Sequence, residues 1–386
     1  MTERVMRVLH LISDHKLTGP AETVLLVVRE LRAMGLDVMF SCSRFQRPKS
    51  SSIEQRAAEF GIEALTPFIL RKHFDVVSSI RDAPEMAEFI DAAGVDVLHA
   101  NLLGDHVVAG WASRKAERGV VVRSVWSMGR LFLRVRARVL TRRVTDAVVL
   151  HSEYHKRQAL NAWPLPKERI LTLPPPVELE RFSPERVSPM KERFGFSESD
   201  VLAAVVGRVQ KRRRLSIFFE ALRRARQKAP ELKGVVIGRG THLQEVAEEP
   251  VRRLGLEHAV HLAGYLRGGE YANALATCDV GVHVRPGTDE TARALRELMA
   301  AGTPVIVGRT GMLGELLLDG ESGFVVDEKP ERFAEKLVAL ARDATLRRKM
   351  GEAARRHAEE HFSLKKYAAG LVEFYERLLR RGKRGG

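Results

Sequence analysis

The feature that most constrains this chain is an alternation of short apolar runs with longer helix-period stretches, played through twice. In the first half the runs fall at residues 8–12, 38–42, 95–100, 120–125 and 147–150, with helix-period segments at 21–34, 53–60 and 83–93. Such near-continuous apolar runs suit strands buried on both faces, and parallel strands need crossovers long enough to hold a helix. Pro174-Pro175-Pro176 then supplies a stiff segment without backbone donors, which reads as an interdomain crossing. After it the alternation restarts, with strands at 201–206, 234–237, 260–262, 280–284 and 305–307 and helices at 215–229 and 270–276. The expected fold class is α/β, as two Rossmann-like doubly wound domains facing each other across a cleft. The expected division is a first domain at 1–173, a linker and entry at 174–200, a second domain at 201–362 and a C-terminal helix with a basic tail at 363–386.

Composition narrows the partners. Hydrophobic residues at 45% and charged residues at 29% exclude wholesale disorder over 386 residues. Two cysteines, Cys42 and Cys278, cannot make a disulfide framework and suit a reducing compartment. No segment approaches 18 uninterrupted apolar residues, so the expectation is a cytoplasmic protein that does not span a membrane. A net charge of +15 points to polyanionic partners. Nucleic acid is not among those expected, since no helix-turn-helix, zinc or stacking-aromatic signature accompanies the charge. The segment MGRLFLRVRARVLTRR at 128–143 aligns Arg130, Arg134, Arg138 and Arg142 along one helix face. It reads either as a domain helix with a solvated arginine face or as a basic helix lying on an anionic membrane surface, and the charge total tilts toward the second. The sequence sets no oligomeric state.

Two loops carry the candidate chemistry. Residues 278–324 read strand, loop, helix, strand, with the helix opening at Thr288-Asp289, turning Ala292, Leu295, Leu298, Met299 and Ala301 inward, and closing at Gly302. A helix start beyond the carboxyl end of a parallel strand is an anion site. Asp289 and Glu297 stand eight positions apart, about 12 Å along a helix axis, a separation that suits contacts on opposite sides of a diphosphate. The plainer account is a capping Asp and a surface Glu paired with Arg293. The other loop, GRVQKRRRL, brings Arg208, Lys211, Arg212, Arg213 and Arg214 to a strand end, where guanidinium groups can clamp a diphosphate. A third loop, Thr18-Gly19-Pro20, opens the first helix. Gly238-Arg239-Gly240 lacks the rest of a dinucleotide fingerprint, so NAD is not expected. Asp105 and His106 stand in the loop after strand 95–100, where either acceptor contact or a satisfied structural histidine is open.

The pieces VVGRVQKRRRLSIFFEAL, GVVIGRG, VHLAGYL, RELMAAGTPVIV and GESGFVV resemble retaining glycosyltransferases of the GT-B fold, family 4, over nearly the whole second half. LHLISDHKLTGPAETVLLVVRELRAMG and VDVLHANL extend the resemblance more weakly into the first half. The resemblance implies an acceptor-side first domain and a nucleotide-sugar-binding second domain, with the last helix crossing back to the first. Arg208, and Arg213 at a position where the family usually has Lys, would neutralise the diphosphate. Glu297 would accept the ribose hydroxyls and Asp289 would face the transferred sugar, with Gly19, Gly207, Arg293 and the amides of Glu290, Thr291 and Ala292 close to the donor. The chain departs from the family in three places: Asp289 replaces Glu, Glu290-Thr291-Ala292 replaces Gly-Phe-Gly, and Trp126 replaces a histidine near the donor sugar. The implied function is retaining transfer of a sugar from a nucleoside diphosphate to a cell-envelope glycan, polysaccharide or lipid-linked acceptor; the alternative is a catalytically weak donor-binding or scaffold protein. No two aspartates are separated by one residue, so no metal and no other cofactor are expected.

Overall fold

The computed structural model describes residues 5–44, 52–72, 75–127, 142–163, 165–186, 190–286 and 292–382. Residues 128–141 of the arginine-lined stretch, and Asp289, Glu290 and Thr291, lie outside them. The chain divides into two compact units, one formed by residues 1–176 with 364–386, the other by residues 177–363.

The first unit is built on seven strands: β1 Arg7–Ile12, β2 Asp37–Cys42, β3 Ala64–Leu65, β4 Val97–Ala100, β5 Val120–Ser124, β6 Ala147–Leu150 and β7 Ile170–Thr172. They pair in parallel in the order β3-β2-β1-β4-β5-β6-β7. Helix Gly19–Ala33 is capped by the Thr18 hydroxyl, carries Pro20 in its first turn where the missing N–H costs nothing, and hands over to β2 through Gly35 at φ +88°. The last helix, Leu364–Arg381, buries Tyr367, Ala368, Leu371, Phe374, Tyr375 and Leu378, a 3.6-period stripe, in the core that also holds Val24, Val28 and Leu31. Its Tyr375 hydroxyl hydrogen-bonds the Nδ1 side of His99, whose Nε2 lies 2.8 Å from the Ser124 hydroxyl.

The second unit has six strands: β8 Val201–Val206, β9 Leu232–Ile237, β10 Val260–Gly264, β11 Val280–His283, β12 Val305–Gly308 and β13 Gly323–Val326. They too are parallel, in the order β10-β9-β8-β11-β12-β13. Chain direction through the sheet reverses between β1 and β4 in one unit and between β8 and β11 in the other, the points at which open α/β sheets leave a crevice for ligands. One face of the second sheet is covered by helices Leu215–Arg226 and Pro330–Arg342, which share a core of Phe218, Leu222, Val236, Phe333 and Leu337. Among the described residues no helix is long and apolar enough to cross a membrane.

Three elements differ from their sequence reading. Helix Val76–Ala93 starts seven residues before the expected 83, with Asp75 as cap and Pro84 inside it; Pro84 mimics a helix start. Asp105 and His106 are in the first turn of a helix, Leu103–Lys115, and not in a loop. The helix expected at Thr288-Asp289 spans Arg293–Ala300, with Ala292 as its N-cap at φ +48°.

Candidate functional site

The residues that point to chemistry gather beyond the carboxyl ends of β8 and β11. Backbone-on-backbone contact fixes the loops there. A Cβ on Gly238 would lie 2.0 Å from the carbonyl oxygen of Gly207, one on Gly240 1.9 Å from that of Val209, and one on Gly308 2.1 Å from that of Val284. The loop after β8 continues into a 3₁₀ turn, Lys211–Arg213. It folds back so that the Arg213 guanidinium covers Gly207, where a Cβ would sit 2.9 Å from Nη2. Arg213 Nη1 lies 3.4 Å from His283 Nε2 at the end of β11. Burial and the Arg213 charge push His283 down to about 3, so its imidazole is neutral and accepts from the guanidinium.

The cations of the basic run have different commitments. Lys211 pairs with Glu245 at 2.6 Å, and Arg214 shares Glu328 with Arg285 at 3.1 and 2.9 Å. Burial alone would raise the Glu328 carboxyl, but hydrogen bonds and charge from Arg285 and Arg214 outweigh it and hold the group below the usual range. Arg208 is exposed, and Arg213 is half-buried on Gly207.

Helix Arg293–Ala300 carries the second half of the site. Ala292, Leu295, Leu298, Met299 and Ala301 are all buried, as their spacing predicts. Glu297 is also buried, at 3% exposure. Its Oε1 accepts from Arg293 Nε at 2.7 Å and its Oε2 from the Tyr271 hydroxyl at 2.6 Å. The i−4 pair with Arg293 therefore exists, but it is an interior pair and not a surface one. Arg296 is 1% exposed, with its guanidinium 5.9 Å from the centre of the Phe362 ring. Tyr271, on helix Gly268–Thr277, is the partner that sequence reasoning missed; a tyrosine 26 positions before the acid offers no local signal.

In the first unit Gly19 opens the helix that follows β1, at the strand-order reversal of that sheet. Trp126 is buried with its ring 4.3 Å from that of His151. Asp105 and His106 are wholly buried. Asp105 accepts from the backbone N–H groups of Ser13 and Leu102, each at 2.8 Å, and burial pushes it up to about 6 against those hydrogen bonds. His106 donates from Nε2 to the Thr145 hydroxyl at 2.7 Å and accepts at Nδ1 from Arg123 at 3.2 Å. An acceptor has no surface of either residue to meet, and the structural account of the pair replaces the acceptor-side one. Among the described residues no group of three or more His, Cys, Asp or Glu is placed to hold a metal ion.

Two family models match this chain: Glycosyltransferase Family 4 over residues 17–181 and Glycosyl transferases group 1 over residues 188–357. A D-inositol 3-phosphate glycosyltransferase of Kribbella flavida is 25% identical over 223 residues, 55% of this chain and 52% of that protein. The chain spans about half the length of such curated relatives. Spore coat protein SA of Bacillus subtilis is 22% identical over 364 residues, 84% of this chain and 96% of that protein. Among solved structures, Anabaena HepE in complex with UDP and glucose superposes with a TM-score of 0.79 at 20% identity, over 97% of this chain and all of that one.

Proposed function

Because the chain belongs to the GT-B glycosyltransferases, with both family domains in order, we propose that it moves a sugar from a nucleoside diphosphate to a hydroxyl of a cell-envelope glycan, polysaccharide or lipid-linked acceptor. Transfer proceeds with retention and without a metal ion. The observation that carries this reading is the pairing, at the switch point of the second sheet, of an arginine-bearing loop after β8 with a helix start after β11 that leads to a buried carboxylate.

Breaking the sugar–phosphate bond places positive character on the anomeric carbon and a further negative charge on the departing diphosphate. Arg208 and Arg213 oppose that charge as it develops, so they stabilise the transition state more than the ground state. Glu297 takes the ribose hydroxyls, and Asp289 is assigned to the transferred sugar on the family resemblance. The acceptor oxygen bonds to the anomeric carbon on the face the phosphate leaves, and its proton passes to the departing phosphate oxygen. The +15 net charge supports work beside an anionic membrane surface, where lipid-linked acceptors reside.

A second reading, donor binding with weak turnover, draws on Ala292. It stands at φ +48° where the resembling family has glycine, and so holds a backbone shape that favours glycine.

The test is a panel of UDP- and GDP-sugars scored for thermal stabilisation and for nucleotide release, with and without EDTA. We expect both signals with one donor, unaffected by chelator. Arg208→Ala and Asp289→Ala should each lower kcat by about a hundredfold or more at unchanged melting temperature. Stabilisation without turnover supports the second reading; neither signal refutes both. Activity lost in EDTA and restored by Mg²⁺ refutes metal independence.

A further inference from the structure

Glu297 occupies an interior position with both oxygens engaged by protein donors of different kinds. Arg293 Nε reaches Oε1 from the same helix, one turn back, at 2.7 Å. The Tyr271 hydroxyl reaches Oε2 from helix Gly268–Thr277 at 2.6 Å. The tyrosine is itself fixed: its ring stands edge-on to Phe182 with centres 5.9 Å apart and an interplanar angle of 89°. Burial, followed by the neighbouring Glu297 charge, holds its phenol far above the usual range, so it keeps its proton and can only donate to the carboxylate. The arginine is on a long, partly exposed stem.

We infer that Tyr271 is a positioning residue: it holds Oε2 so that Oε1 faces the sugar diol of the incoming nucleotide, which displaces Arg293. The inference rests on Glu297 being the ribose acceptor of the proposed function. Without the phenol Oε2 loses the donor that holds it, and a forked Arg293 pair can take both oxygens at once. The carboxylate then turns from the diol while remaining buried. A ligand hydroxyl that finds its acceptor occupied loses the hydrogen bond and stays desolvated.

The prediction concerns discrimination between ribose and deoxyribose. Titration calorimetry compares UDP and GDP with their 2′-deoxy counterparts on the wild type, on Tyr271→Phe, which keeps the ring against Phe182, and on Glu297→Gln. A hydrogen bond to a buried carboxylate gives the wild type a preference for the ribonucleotide of about tenfold or more. Tyr271→Phe should reduce it to within about threefold by weakening the ribonucleotide alone, at an unliganded melting temperature close to wild type. Equal weakening of ribo and deoxy forms, or an unchanged preference, overturns the inference and leaves Tyr271 a packing residue. If Glu297→Gln also keeps the wild-type preference, the assignment of Glu297 to the ribose has failed instead, and the inference falls with it. A preference that Glu297→Gln loses and Tyr271→Phe keeps rejects only the role of Tyr271.

Discussion

Gly238→Ala weighs the backbone contacts that hold the loops after β8 and β9. The added Cβ would fall 2.0 Å from the Gly207 carbonyl oxygen and 2.8 Å from its carbon, at a residue with φ +150°. Both obstacles are main chain, so no side-chain rotation relieves them. The backbone conformation costs about 1–3 kcal/mol for a residue with a side chain, and forcing the loops apart costs a further 1–3 kcal/mol or so. The loss is therefore about 2–6 kcal/mol, against a total stability on the order of 5–15 kcal/mol. At a urea slope of about 2 kcal/mol/M, a loss of about 4 kcal/mol lowers the midpoint by about 2 M. Far-ultraviolet circular dichroism follows the transition. All three tryptophans, Trp111, Trp126 and Trp163, belong to the first unit, so their fluorescence serves as an internal reference. Gly255→Ala is the control: φ is +64° but nothing lies within 4 Å of its Cβ, leaving only a backbone cost of about 1–2 kcal/mol. Because the Gly207 loop carries Arg208 and Arg213, Gly238→Ala should also weaken nucleotide binding. A Gly238→Ala midpoint equal to that of Gly255→Ala refutes the reasoning.

Ala292→Gly removes the left-handed penalty at the N-cap of helix Arg293–Ala300 and should raise stability by up to about 1 kcal/mol, read in the same urea titration; a loss of stability would show that the alanine methyl matters more than the backbone strain. Acid should destabilise the fold. Burial depresses His10, and burial with the Arg213 charge depresses His283, each to about 3. Folding thus favours neutral imidazoles, and the stability they confer above about pH 6.5 is lost as the pH falls toward 3, because the unfolded chain takes up protons first. Asp105, raised to about 6 by burial, acts oppositely as pH falls through 6, and one such group does not cancel two histidines. The melting temperature should fall between pH 7 and pH 5; a flat or rising profile contradicts the assignment.

The strands were legible because a parallel sheet buried on both faces leaves continuous apolar runs, and 8–12, 201–206 and 305–307 were read within a residue of β1, β8 and β12. Helix Leu103–Lys115 was not, because it is buried nearly all round and includes Asp105 and His106 among its interior residues, which erases the one-sided stripe a periodicity search relies on. Helix Val76–Ala93 was clipped because Val76, Val77 and Ile80 are apolar yet exposed, reversing the expected face. In the site, residue types and spacing marked Arg213, Glu297 and the i−4 pairing of Glu297 with Arg293, but not the other groups that Arg213 and Glu297 touch. The guanidinium lies on Gly207 because the loop folds back on itself within six residues, and the phenol reaches Glu297 from a helix 26 positions earlier; neither contact leaves a periodic signal in the sequence.

The first unit is discontinuous: its core is completed by Tyr367, Leu371, Phe374 and Tyr375 from the last helix, with residues 177–363 of the other unit in between. On the ribosome its sheet must therefore wait for the whole intervening unit to be synthesised, about 10–40 s at ordinary translation rates. During that interval β1, β4 and their covering helices hold an apolar face with its natural cover not yet made. The second unit, continuous in the chain, can mature first, and the nascent first unit is where a chaperone would have its longest opportunity.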